Sequence, residues 1–366
     1  MWPDSRLLDF FGIDVPIVQA PMAGPVFADM VIAVAEAGGL GSLPCATMSP
    51  DQLRSEFEAV RRGTNKPINV NFFCHVPPTF DASRETAWRN RLRTYYIEFG
   101  LDPDGPVPRS NRTPFDDATC ELVEELRPEV VSFHFGLPEQ RLLERVRATG
   151  ASILSSATTV EEARWLEDHG CDSVIAQGVE AGGHRGMFLT DNVATQIGTF
   201  ALVPQIVDAV RVPVIAAGGI ADARGILAAF ALGAAAVQIG TAYLFTPEAR
   251  IAGPHRAALV GEGRSRTALT NVFTGRPARG VLNRVMSEVG PMSDLAPAFP
   301  LAGGALAPLR AATESAGSGD FMSLWSGQAA ALCRPASARE LTQRLASETL
   351  ALLKQWGFEG GPRGIR

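Results

Sequence analysis

The five cysteines, Cys45, Cys74, Cys120, Cys171 and Cys333, form no CxxC pair and no metal-ligand spacing. That scatter excludes a disulfide frame and a cysteine-based zinc site, and it fits reduced thiols in a cytoplasmic protein. No apolar run approaches the roughly 20 residues of a membrane span. The opening Met-Trp-Pro-Asp-Ser-Arg has no apolar signal core, so neither membrane nor export is expected, and cytoplasmic is the expected location. No basic block is present and the net charge is −6, which argues against nucleic acid as a partner. Lysine is scarce, with only Lys66 and Lys354. Neither a Ser-His-Asp arrangement, an HExxH helix nor paired carboxylates sit where chemistry is expected. Hydrolase and metalloenzyme readings lose their support, and no metal is expected. No GxGxxG leads from a strand into a helix, since Gly39 and Gly41 precede their strand, and this weakens a dinucleotide fold.

What remains is a soluble composition, 46% apolar and 20% charged, with a strong rhythm. Eight short runs read as buried strands: Pro16–Met22, Leu40–Pro44, Ile68–Phe73, Val130–Phe135, Ser152–Ala157, Ser173–Gly178, Val214–Gly219 and Ala236–Ala242. Most are continuous apolar runs, as expected for strands covered on both faces. Helical patterns at Ala28–Ala37, Pro50–Arg62, Phe115–Leu126, Pro138–Thr149, Thr159–His169 and Asp222–Leu232 alternate with them, most stopping at a glycine. The repeat predicts an α/β chain folded as a (β/α)8 TIM barrel. Two stretches break the rhythm. His75 to Pro114 is a long excursion with a helix near Glu85–Phe99. Phe245 to Asp320 is rich in Gly, Pro, Ala and Ser toward its end. Such segments are usually lids or active-site walls. The expected division is a barrel from 1–245 and 325–366, closed by a helix over Arg339–Trp356, with 246–324 as a smaller capping or substrate region.

In such a barrel the chemistry lies at the carboxyl ends of the strands. There the sequence places Gln19-Ala-Pro-Met22, Asn69-Val-Asn71, Ser132-Phe-His134, Gln177 with the glycine turn Gly182, Gly183 and Gly186, then Gly218-Gly219 and Gln238-Ile-Gly240-Thr241. Gly218, Gly219, Gly240 and Thr241 suit a phosphate monoester, through backbone N–H groups and the start of a helix. They could equally be tight turns. Asn71, Gln177 and Gln238 suit the mixed polar edge of an isoalloxazine or ribityl chain, or could be amides satisfied by nearby backbone. His134, near the end of a central strand among apolar residues, is the candidate for proton chemistry. His184, inside the glycine turn, is its rival. His75, His169 and His255 read as loop or helix-surface residues.

On these stretches, with Val131-Ser-Phe-His-Phe-Gly136, Gln177-Gly-Val-Glu-Ala-Gly-Gly-His184 and Trp325-Ser-Gly-Gln328, the chain resembles the nitronate monooxygenases. The Ser-Phe-His-Phe-Gly form resembles the branch active on propionate 3-nitronate. The resemblance implies non-covalent FMN held by Asn71, Gln177, Gly182, Gly219, Gln238, Gly240 and Thr241, with Gly183 and Gly218 in the same cradle. Met22 would lie near the ring and His134 at the catalytic position. It implies oxidation of an alkyl nitronate by O2 to a carbonyl compound and nitrite, with one-electron transfer to flavin. The partners would be the nitronate, O2 and a second copy in a homodimer. His134 could serve as a cation holding the nitronate or as a neutral base for a nitroalkane. Two other functions fit part of the pattern. An FMN-dependent enoyl-acyl-carrier-protein reductase would need NAD(P)H, whereas a non-catalytic flavin- or phosphate-binding barrel would leave His134 idle.

Overall fold

The computed structural model describes residues 1–108, 110 and 112–357. Eight parallel strands form one sheet in the order β1-β9-β8-β6-β5-β4-β3-β2. They are β1 (Ile17–Gln19), β2 (Gly41–Pro44), β3 (Ile68–Phe73), β4 (Val130–His134), β5 (Ser152–Ala157), β6 (Ser173–Gln177), β8 (Val214–Ala217) and β9 (Ala236–Ile239). A parallel bridge between Val18 and Leu40 joins the first and last of that order and closes the ring. The chain is therefore the (β/α)8 barrel that its strand–helix rhythm predicts.

Side chains alternate across each strand. Ile17, Val131, Phe133, Ile153, Val174, Val214 and Val237 pack outward with residues of the surrounding helices. Val18, Leu40, Val130, Leu154, Ile175 and Ile215 form an inner cluster with Leu7, Phe11 and Ile13. The short helix Arg6–Phe11, which the sequence rhythm did not reveal, thus plugs the amino-terminal end of the barrel. The polar inward positions fall at the other end.

The sequence rhythm likewise does not reveal the helix Thr199–Ala209 between β6 and β8. It is almost wholly apolar and carries Pro204, so no amphipathic stripe marks it. A second sheet stands apart from the barrel, with β10 (Thr267–Thr270) pairing antiparallel to β11 (Ala278–Val281), and β11 to the two-residue β7 (Gly183–His184). The glycine turn after β6 is therefore also the edge of this second sheet. Around it lies a separate core in which Trp88, Leu92, Tyr95 and Tyr96 of the helix Ala82–Glu98 meet Val272, Phe273, Met286, Leu306 and Leu309. Both excursions from the barrel rhythm contribute to this core. The second includes a helix, Gly303–Ser315, hidden in sequence by its two leading glycines and Pro308.

Trp88 is fully buried and its indole Nε1–H donates to the Ala302 carbonyl at 3.0 Å, tying the two excursions together. Trp88→Ala is expected to cost about 3–5 kcal/mol in that core. It should lower the apparent Tm in thermal unfolding, while Trp356→Ala, at an exposed site, leaves it unchanged.

Candidate active site

The alternation that builds the barrel also builds its upper layer. Outward Val70, Phe72 and Phe133 imply inward Asn71, Phe73 and His134, and outward Ala176 implies inward Gln177. These residues line a cavity of about 600 Å³ at the carboxyl ends of the strands, within the range of small-molecule sites. Its lining includes His134, His184, Met22, Asn71, Gln177, Gly182, Gly183, Gly218, Gly219, Gln238, Gly240 and Thr241, whereas Gly186 of the glycine turn lies outside it.

His134 is held at both nitrogens. Nδ1 lies 3.0 Å from the Ser156 hydroxyl and Nε2 lies 3.3 Å from the His184 carbonyl. A carbonyl only accepts, so Nε2 carries the proton. Burial, reinforced by the charges of Arg276 and Arg185, lowers the His134 pKa to about 3. The ring is therefore neutral at ordinary pH, with Nδ1 accepting from Ser156. His184 is arranged differently. Its Nε2 lies 2.9 Å from the Thr274 hydroxyl, and among the described residues no protein group bonds its Nδ1. Burial, then Arg112, His134 and Arg276, hold its pKa well below the usual histidine range. His184 thus presents an open imidazole nitrogen on the cavity wall.

The turn carrying His184 is fixed from beneath. The Gln177 Nε2–H donates to the His184 carbonyl at 3.0 Å, and the Gly186 N–H donates to Gln177 Oε1 at 2.8 Å. The Gln177 amide is thus spent largely on its own turn. Arg185 is fully buried. Its guanidinium donates to the carbonyls of Gln177 and Gly178 at 2.6 and 2.8 Å and to Gln196 at 2.8 Å. Burial lowers its pKa to about 9, which leaves it charged at neutral pH.

The opposite end of the cavity is a backbone cradle. Gly218 has φ +108°, and a Cβ there would lie 3.0 Å from the Gly178 carbonyl and 3.1 Å from the Ala181 nitrogen, so only glycine fits. A Cβ on Gly182 would fall 2.5 Å from the Gly327 nitrogen. The Gly327 N–H in turn donates to the Thr241 hydroxyl at 2.9 Å, which closes this end with residues far along the chain. The helix expected after Gly240 is only a 3-10 segment, Thr241–Phe245, so its dipole adds little and the donors must be individual N–H groups. Two amides await partners in the cavity. Gln238 Oε1 is buried without a hydrogen bond. Asn71 spends its Nδ2 on the Ser132 carbonyl and hydroxyl, leaving its oxygen open. A glycine cradle at one end and unsatisfied amides along the wall suit a ligand with an anionic end and a mixed polar edge, such as a flavin.

Comparison with known proteins decides the family. The sequence profile of the nitronate monooxygenase family matches residues 4–348. The chain belongs to the nitronate monooxygenase family. It is 42% identical over 346 residues to the nitronate monooxygenase of Pseudomonas aeruginosa, covering 94% of this chain and 99% of that protein. Among solved structures it is similar to the nitroalkane oxidase of Streptomyces ansochromogenes, with TM-score 0.86 and 38% identity over 96% of this chain and 99% of that one. It is also similar to FabK from Thermotoga maritima, with TM-score 0.71 and 26% identity over 97% and 99%. Membership in the nitronate monooxygenase family makes this barrel an oxidoreductase of a flavin-using family.

Several residues at this nitronate monooxygenase site escaped the reading of sequence. Ser156 and Arg185 look like ordinary strand and turn residues, and nothing local tells that one fixes His134 and the other the turn. Ser326 and Gly327 lie in the Trp325-Ser-Gly-Gln328 stretch, whose place against Gly182 depends on tertiary structure. His75 lies in a loop, as read, yet is only 3% exposed; His255 needs correction, since its helix face is turned inward and it is 7% exposed; His169 lies at an exposed helix end, stacked on Trp165 at 3.8 Å. Burial first, then neighbouring arginine charge, lowers His75 to about 4 and holds His255 below its usual range.

These neutral histidines give stability a defined acid limb. An unfolded chain takes up a proton on each near pH 6.5, whereas folded His134 resists until about 3 and His75 until about 4. Their contribution is complete above about pH 6.5 and declines as pH falls, by at most about 1.4 kcal/mol per pH unit per histidine. Thermal unfolding at pH 7.5 and 5.0 should show a Tm drop that is smaller in His134→Asn than in the parent. An equal drop would remove His134 from the set.

Proposed function

We propose that the chain binds FMN and oxidises alkyl nitronates with O2, releasing a carbonyl compound and nitrite, and that propionate 3-nitronate is its substrate. The reading is carried by one observation: in a barrel of this family, glycine cradle, unsatisfied amides and an open imidazole nitrogen share a single cavity. Gly182, Gly183, Gly218, Gly219, Gly240 and Thr241 would hold the phosphate end. Asn71, Gln238 and Met22 would meet the ring and its chain, with Gln177 holding the turn beneath them. When bound, FMN supplies the electron acceptor that the protein's own side chains lack, and O2 takes the electrons onward.

The protein's part is then positioning, exclusion of water and charge. The capping region 246–324 and the helix Ala82–Glu98 are assigned to enclosing the substrate. A nitronate is already an anion and needs no base. Because His134 is neutral, it offers the substrate no charge, and it can take a proton at Nδ1 only when the Ser156 hydroxyl turns away. Its proposed role is to position the His184 turn beside the reacting end, through the Ser156–His134–His184 carbonyl chain. A neutral nitroalkane does need a base, and His184 Nδ1 is the nitrogen open to serve.

Purified holoprotein given propionate 3-nitronate without pyridine nucleotide should consume oxygen and release nitrite. His134→Asn should keep its flavin yet lose about 10²-fold in turnover, the cost of misplacing the reacting end. His184→Asn should lose nitroethane oxidation while retaining more of its ethyl nitronate activity. Absence of nitrite from the parent, or unchanged turnover in both variants, contradicts the proposal.

A further inference from the structure

Three guanidiniums line the cavity, those of Arg112, Arg250 and Arg310. Two have counter-ions: Arg250 pairs with Asp29 at 2.9 Å and Arg310 with Glu314 at 3.2 Å. Arg112 has none among the described residues. The one carboxylate in the lining, Glu180, is committed to the N–H and hydroxyl of Thr199. The contrast with Arg185, whose guanidinium donates to three acceptors, is instructive, because a structural arginine in this chain is saturated with partners. Arg112 instead rests over the Phe299 ring at 5.9 Å and feels no carboxylate that would offset its loss of water. Its charge reaches the rings of His184 and His75. A partly desolvated cation without a counter-ion is costly, and an anionic ligand relieves that cost.

Placement tells which part of the ligand it meets. The strand ends supply His134 and the turn supplies His184, whereas Arg112 arrives from the excursion between β3 and β4, outside the barrel. With the reacting end of a substrate over the strand ends, Arg112 meets its far end. We propose that Arg112 anchors a carboxylate on the substrate's far end, and so makes this enzyme prefer carboxylated nitronates over plain alkyl nitronates. The inference rests on the nitronate-oxidising function proposed above.

The test compares the parent with Arg112→Met and Arg112→Lys, each checked for an unchanged flavin spectrum and Tm. Oxygen uptake is measured with propionate 3-nitronate and with ethyl nitronate. In Arg112→Met the KM for propionate 3-nitronate should rise about 10- to 10²-fold, as for loss of a charge-assisted hydrogen bond. Its kcat should hold, ethyl nitronate kinetics should change less than about threefold, and Arg112→Lys should recover part of the loss. Equal losses on both substrates, or none on either, overturn the proposal. Calorimetric titration with succinate and propionate, which carry a carboxylate in place of each nitronate, separates binding from reaction. Succinate should bind the parent more tightly than propionate, and Arg112→Met should erase the difference. If that pattern holds while no nitronate is oxidised, the anion site stands and the proposed reaction falls. If succinate shows no preference, the anion site falls whatever the parent oxidises.

Discussion

The site depends on a charge buried where water cannot reach it. Arg185 is fully buried and gathers the carbonyls of Gln177 and Gly178 at the point where β6 ends. The chain must therefore fold back on itself, and the next residues become the edge of the second sheet instead of running into a helix. That reversal places the His184 carbonyl where it accepts from both Gln177 and His134. One guanidinium thus couples the barrel, the second sheet and the orientation of the His134 and His184 imidazoles. Removing it would leave buried carbonyls unpaired at about 1–3 kcal/mol each.

Electrostatics at this end of the barrel favours anions without protonated histidines. His75, His134 and His184 are kept neutral by burial and by the nearby arginines. Positive charge is instead held by guanidiniums, which keep it at any physiological pH. A site of this kind can receive a phosphate, a nitronate and a carboxylate while leaving an imidazole free as a base. In this setting burial favours a neutral His134 ring, and the His184 carbonyl places its proton on Nε2.

The barrel and the membership of its cavity are legible in sequence because both follow from period-two alternation and from where strands stop. His134, Asn71, Gln177 and Gln238 stand at strand ends, and alternation alone sends them inward. Roles within the cavity are less legible. Gln177 reads as a ligand amide, yet tertiary folding gives its two ends to the turn. The closure by Gly327 on Thr241 joins residues far apart in sequence, which no local pattern encodes. The apolar helix Thr199–Ala209 and the Gly- and Pro-bearing Gly303–Ser315 lack the amphipathic stripe that marks a surface helix, because their packing, not their pattern, stabilises them.

The central claim is that this cavity presents a bound flavin to a nitronate, with no need of a pyridine nucleotide. Anaerobic mixing of the holoprotein with propionate 3-nitronate or with NAD(P)H, followed by visible absorbance, tests it most directly. The account predicts rapid loss of oxidised-flavin absorbance with the nitronate and none with the nucleotide. Bleaching by NAD(P)H while the nitronate leaves the spectrum untouched would contradict it.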